Sequence, residues 1–201
     1  MKIFFTACTL LLSLTTYSQS IKNFHLNFAL GAGIPPGVAS ESGFLVAVEP
    51  KFGLGKNLDI GLRYESATMK RGTISPGYSQ NAGESQATQS LLLTTAFTAN
   101  GKTVRPFFGI GCGLYFLEYT NVSGSSQYTY YGDKTGKSVI GTVIRGGVKL
   151  KRLVLNVDYN LVPATDAYLY SSYFGGSSSS AQVVNSYWGL KVGIELAGLR
   201  Y

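Results

Sequence analysis

The sequence predicts an all-β protein, an eight-stranded antiparallel up-and-down transmembrane β-barrel, on three observations. Apolar residues recur at every second position in eight stretches, the period of a strand with two unlike faces. Short turns and long polar connections alternate between those stretches. The positions between the apolar ones hold ten charges of balanced sign. Charged residues are only 13% of the chain, about half the usual share, which argues against an ordinary cytosolic enzyme. A hydrophobic content of 45% excludes a disordered polymer.

The first segment predicts an address. Lys2 precedes an apolar stretch over residues 3–14, followed by Thr15, Thr16, Tyr17 and Ser18 before Gln19. This is the pattern of a secretory signal peptide over 1–18, with the barrel domain over 19–201. The apolar stretch is shorter than the roughly 20 residues of a helical span. Cleavage would remove Cys8 and leave Cys112 as the single cysteine, with no intramolecular disulfide.

Strand one alternates through Phe24, Leu26, Phe28, Leu30, Ala32 and Ile34. Strand two follows in Phe44, Val46, Val48, Phe52 and Leu54, strand three in Leu58, Ile60, Leu62 and Tyr64. Leu91, Leu93, Thr95 and Phe97 mark strand four; Phe108, Ile110, Cys112, Leu114 and Phe116 mark strand five. Ile140, Thr142, Ile144, Val148 and Leu150 make strand six, and Leu153, Leu155, Val157, Tyr159 and Leu161 strand seven. Trp188, Leu190, Val192, Ile194 and Leu196 complete the set. Most reach about ten residues, the length a tilted strand needs to cross a bilayer.

Tight turns are expected at Gly55-Lys56-Asn57, Asn100-Gly101-Lys102 and Lys151-Arg152; Asn-Gly is the strongest hairpin signal of the three. The opposite connections, 71–89, 120–137 and 163–182, are long and polar, and only 35–42 is short. Short turns at one end and long loops at the other characterise an outer-membrane barrel. An even strand count puts both chain ends on the short-turn side.

Alternation alone fits a soluble barrel too, so the second face decides. It carries Glu49, Lys51, Asp59, Arg63, Glu65, Arg145, Lys149, Asp158, Lys191 and Glu195, five bases and five acids. A confined interior needs matched signs because an unpaired buried charge is costly; a solvated exterior does not. Many glycines share that face, among them Gly109, Gly111, Gly113, Gly141 and Gly147, leaving room for long polar side chains. The expected arrangement is lipid outside and an ion-paired lumen inside.

The other charges sort by end. Lys22, Lys56, Lys102, Arg105, Lys151, Arg152 and Arg200 fall on the short-turn side with no acid among them. Lys70, Arg71, Lys134 and Lys137 face Glu41, Glu84, Glu118, Asp133 and Asp166 on the other. The net charge of +7 drops to +6 once Lys2 leaves. Bases spread round one rim point to anionic lipid head groups rather than nucleic acid. Phe24, Phe52, Tyr64, Phe97, Phe108, Phe116, Tyr159 and Trp188 are expected near strand ends, as interfacial girdles.

The segment Arg105-Pro106-Phe107-Phe108-Gly109-Ile110-Gly111-Cys112-Gly113-Leu114-Tyr115 resembles the fifth strand of the small outer-membrane β-barrel family of OmpX and the OmpA membrane domain. Residues Gly146-Gly147-Val148-Lys149-Leu150 and Leu155-Asn156-Val157-Asp158-Tyr159 resemble the following hairpin. The resemblance implies the bacterial outer membrane and this topology, with no shared catalytic residue or cofactor. The terminal aromatic Tyr201 resembles the strand signal used by the barrel assembly machinery, an expected partner in biogenesis. Tyr201 has the opposite parity to Ile194 and Leu196, so either a bulge intervenes near Gly198 or the strand ends before it.

No chemistry-bearing motif emerges. His25, the only histidine, stands at the start of strand one without nucleophile or acid partners in pattern. Lumenal Glu49, Glu65 and Glu195 are better matched to bases than to each other as an acid–base pair. No catalytic residue, metal site or cofactor is expected. Eight strands enclose only enough space for side chains, and Phe107, Tyr115 and Tyr187 add to the filling. Tyr78, Tyr128, Tyr130, Tyr131, Tyr168, Tyr170 and Tyr173 sit among Ser and Gly in the long connections, the composition of adaptable recognition surfaces. The expectation is a monomeric, non-enzymatic barrel with a structural or adhesive role, its loops meeting an extracellular ligand or host surface. The alternatives are a narrow solute or ion channel, or a component of a secretion or assembly complex.

Overall fold

Ten strands account for nearly all of the residues described in the computed structural model, which are 24–37, 40–72, 86–118, 137–170 and 178–197. They are β1 (Phe24–Ile34), β2 (Glu41–Gly53), β3 (Leu58–Lys70), β4 (Gln86–Thr98) and β5 (Val104–Leu117), then β6 (Lys137–Leu150), β7 (Leu153–Leu161), β8 (Thr165–Tyr170), β9 (Ser178–Val183) and β10 (Tyr187–Ala197). Eight of them close a barrel in the order β1-β10-β7-β6-β5-β4-β3-β2, every pair antiparallel. No helix among the described residues is long and apolar enough to span a membrane.

The closing seam shows why alternation produces this wall. Phe28 pairs with Ile194 and Leu30 with Val192 on one face, while Asn27 pairs with Glu195 and Gly31 with Lys191 on the other. A period of two forces each register-matched pair to the same side of the sheet. Closure leaves the eight barrel strands no free edge. At the short-turn end Lys151 adopts φ 57° in the Lys151-Arg152 turn, and Gly55 φ 148° in the β2–β3 turn. Such values suit tight hairpins, and glycine takes them without a Cβ penalty.

The apolar face points out. Ile140 is 73% exposed and Phe44 58%, whereas Arg63 is 2% and Glu65 0% exposed. Holding a Leu or Phe in water forgoes about 1.5–3 kcal/mol each, so a wall of such residues requires an apolar surrounding. This is the inverted, membrane-type arrangement.

The structure departs from the sequence expectation in the third long connection. Residues 163–182 are not wholly irregular: β8 and β9 form a separate two-stranded antiparallel sheet, from Thr165 opposite Val183 to Tyr170 opposite Ser178. Pairing of β8 with β9 satisfies backbone groups that a bare loop would leave to water. The serine run over 177–180 hid this strand, because it supplies no apolar alternation. Two boundaries also shift. β2 begins at Glu41 with a register irregularity between Glu41 and Phe44, and β4 begins at Gln86.

Candidate functional site

The barrel interior is layered along its axis. Inward-facing Ala29, Leu45, Ala47, Ala67, Met69, Leu92, Tyr115, Leu117, Val143, Val162 and Tyr187 form one buried apolar cluster, reaching from mid-barrel to the long-loop end. The same inward parity carries charge beside it and on toward the short turns, Arg63 standing at the register position opposite Leu92. The ten residues expected in the lumen all lie there, and they fall into two clusters, each of zero net charge.

The upper cluster is a quartet. Arg63 on β3 contacts Glu65 and, at 2.6 Å, Asp158 on β7. Lys191 on β10 contacts Asp158 and, at 2.7 Å, Glu65. Tyr187 donates its hydroxyl to Glu65 Oε1 at 2.7 Å, fixing the free lone pair of that carboxylate. Each acid therefore meets both bases, which offsets the desolvation that burial imposes on all four.

The lower cluster is a chain of six. Arg145 on β6 donates to Glu49 on β2 at 2.7 Å, and Lys51 stands 3.2 Å from the same carboxylate. Lys51 also lies 3.9 Å from Glu195, which Lys149 approaches to 2.9 Å, and Lys149 reaches Asp59 at 3.4 Å. Thr94 completes Glu49 with a 2.6 Å hydrogen bond from its hydroxyl. His25 Nδ1 lies 3.9 Å from Glu195 at the lower mouth, among polar lumen groups.

Glycines make the struts fit. A Cβ on Gly109 would come within 2.9 Å of Arg145 Nε, and one on Gly141 within 2.7 Å of the Tyr115 ring. Both positions would collide with the long side chains that fill the lumen.

Hydrogen bonds and an ion pair link strand ends at the long-loop mouth. Buried Arg71 donates to Asn185 Oδ1 at 2.7 Å and to the Glu118 carbonyl oxygen, while Asn185 donates to the Pro163 carbonyl oxygen at 2.7 Å. Val184 N–H donates to the Gly72 carbonyl oxygen at 2.9 Å. Glu41 pairs with Lys70 at 3.0 Å.

Of the loop tyrosines, Tyr78, Tyr128, Tyr130, Tyr131 and Tyr173 lie outside the described residues. Tyr168 and Tyr170 fall on β8, at register positions opposite Ser180 and Ser178. The expected leader over 1–18 also lies outside, with Lys22, Glu84, Asp133, Lys134, Arg200 and Tyr201. Among the aromatics, Phe24 and Phe52 meet edge-to-face at 5.1 Å near the short-turn end, and Tyr159 lies 4.5 Å from Trp188 near the other. Tyr64 is the exception to the girdle expectation: β3 continues to Lys70, so Tyr64 sits midway along the strand. Cys112 is exposed on the outer wall. Among the described residues no three His, Cys, Asp or Glu side chains come together as metal ligands.

Tyr115 and Tyr187, expected to fill the lumen, do stand in the apolar cluster, and Phe107 is buried too; the aliphatic part of the plug escaped sequence reasoning, although a signal existed. Phe44-Leu45-Val46-Ala47-Val48 and Leu91-Leu92-Leu93 are apolar at both parities, which marks a strand buried against apolar material on both faces.

The geometry matches solved barrels. Neisserial surface protein A superposes with a TM-score of 0.50 at 15% identity, over 87% of this chain and 96% of that one. The fold is that of the small outer-membrane β-barrels. Other structures similar to this barrel are the N-terminal barrel domain of Pseudomonas aeruginosa OprF (TM-score 0.45, 14% identity, 87% and 98% covered) and the outer membrane enzyme PagL (0.45, 12%, 86% and 98%). No protein-family model and no curated protein matches the chain. A shared fold does not fix a task, so function must be argued from the residues of this barrel.

Proposed function

We propose that this chain is a non-enzymatic protein of the bacterial outer membrane, delivered by the leader over 1–18, whose closed barrel anchors an extracellular binding surface. The carrying observation is the filled lumen: an apolar plug and two charge-neutral clusters occupy it, so the barrel axis offers no path for a solute. Activity then belongs to what the wall holds outside the bilayer. The β8–β9 sheet, inserted between β7 and β10 in chain order, carries Tyr168 and Tyr170; the remaining Tyr, Ser and Gly of the long connections supply adaptable contact area. The partner is a host or cell surface or another extracellular ligand, and the barrel works as a monomer.

Removal of residues 128–131 and 168–173 tests this reading. Surface adhesion of cells displaying the variant should fall to background while the barrel keeps its heat-modifiable gel mobility. Full adhesion by a folded variant would refute it.

A specific observation also supports contact at the opposite rim. Lys56, Lys102, Lys151 and Arg152 are all exposed on the short turns, with no acid in those turns. The phosphate of anionic lipid head groups complements them, each base contributing about 1 kcal/mol near such a surface.

A further inference from the structure

The outer wall carries a groove of about 390 Å³, and backbone register shows how it is built. Its floor is a paired row across four strands: Gly147 on β6, Asn156 on β7, Lys191 on β10 and Gly31 on β1. These residues have inward parity, so the floor is backbone. The bank toward the long loops is Gly146, Val157, Leu190 and Ala32; the bank toward the short turns is Val148, Leu155, Val192 and Leu30. Among the described barrel strands Gly146 is the one glycine at an outward position. A Cβ there would meet only the Phe107 carbonyl oxygen at 3.7 Å, which leaves the groove open at its β6 end. Strand tilt inclines such a row to the barrel axis. The floor starts at Gly147, four residues before Lys151, and ends at Gly31, three residues before the close of β1 at Ile34. It therefore climbs from the short-turn rim toward the long-loop end, over about 14 Å for three strand spacings.

We propose that this groove holds one acyl chain of an anionic phospholipid whose phosphate sits on Lys151 and Arg152. The site presupposes the lipid-facing wall and the basic rim described above. Burial from water selects no site on such a wall, because lipid tails surround all of it; close packing and a head-group contact do select. A channel with apolar banks on both sides and an open end at Gly146 suits an unbranched methylene chain. Its volume falls within the roughly 300–1,000 Å³ of small-molecule sites. The lower end of the groove meets charge of the right sign. Lys151 and Arg152 are both exposed on the β6–β7 turn, whereas the β2–β3 and β4–β5 turns carry one exposed base each, Lys56 and Lys102. Val148 lies three residues from Lys151, about 10 Å of strand, and that stretch accommodates the glycerol backbone and first methylenes.

Photolabelling of the full chain in phosphatidylcholine vesicles tests the site, with phosphatidylglycerol or phosphatidylcholine carrying a photoreactive group in the acyl chain. Leu62 and Leu93, paired on β3 and β4 across the ring from β7 and β10, serve as the reference wall. Phosphatidylglycerol should label Leu155 and Val192 about fivefold more than that reference, the preference one further base near a phosphate supplies. Phosphatidylcholine should label both regions alike. Gly146→Phe should bring groove labelling down to the reference level, and so should Lys151→Gln with Arg152→Gln, which leaves the groove itself untouched. Even labelling of the wall by phosphatidylglycerol would overturn the groove site while leaving the lipid-facing wall intact. Equal enrichment by the two lipids would remove the phosphate contact and overturn the proposal too. Labelling that spares the groove alone would assign that face to a second copy of the chain. Absence of labelling anywhere on the wall would instead sink the lipid-facing reading. The unsubstituted protein separates these outcomes even where a variant fails to fold.

Discussion

Arg145 on β6 reaches across the lumen to Glu49 on β2, Nη1 to Oε2 at 2.7 Å, and the two strands stand four places apart around an eight-stranded ring. They sit on opposite walls, so this ion pair is a strut across the barrel diameter. Arg63 on β3 and Asp158 on β7, at 2.6 Å, form a second strut with the same spacing.

Cutting one strut should be costly because its partner stays buried. Arg145→Met leaves Glu49 with Lys51 as its remaining paired base and Thr94 as a neutral donor, and a broken buried pair typically costs about 3–5 kcal/mol. Arg145→Met with Glu49→Gln should recover most of that loss. Urea unfolding in lipid vesicles, followed by heat-modifiable gel mobility, measures both; equal stability of the single variant and the unsubstituted barrel would contradict the strut.

Lumen filling predicts an asymmetry between two glycines. Gly141→Val pushes into the Tyr115 ring and the Leu161 carbonyl oxygen, and overpacking of this kind costs about 1–3 kcal/mol. Gly146 faces the other way, and a Cβ there would meet only the Phe107 carbonyl oxygen at 3.7 Å, so Gly146→Ala should be near neutral. The same unfolding assay compares them.

The plug predicts a silent barrel. Inserted into planar bilayers, the unsubstituted protein should give no steady single-channel conductance, because Leu45, Leu92, Tyr115 and Tyr187 are 0% exposed across the lumen. Stable current steps from pure protein would restore the channel alternative.

The basic rim predicts lipid selectivity. A variant with Lys56, Lys102, Lys151 and Arg152 all replaced by Gln should lose most of its preference for spin-labelled phosphatidylglycerol over phosphatidylcholine. Added salt should erode the preference of the unsubstituted protein too, through screening. A preference unaffected by either change would dismiss the rim as a phosphate-contacting surface.

Strands with one apolar face were legible because a period of two survives without any tertiary information: Phe108 to Phe116 specify β5 directly. The ten lumenal charges were legible for the same reason, by parity and by sign balance. Their partners were not, since alternation says nothing about which residues meet across a diameter; nothing local links Arg145 to Glu49 or Tyr187 to Glu65. The aliphatic part of the plug was obscured because Leu45 and Leu92 lie beside apolar neighbours and blend into the outer wall pattern. β9 was obscured by composition, as Ser178, Ser179 and Ser180 resemble a loop until backbone pairing with β8 is known.

The most direct measurement uses Trp188, the only tryptophan, which is 48% exposed on the outer wall. Reconstituted into vesicles whose acyl chains carry bromine, the protein should show strongly quenched Trp188 fluorescence and little response to aqueous iodide. Indifference to bromine combined with quenching by iodide would place that wall in water and contradict the inverted barrel.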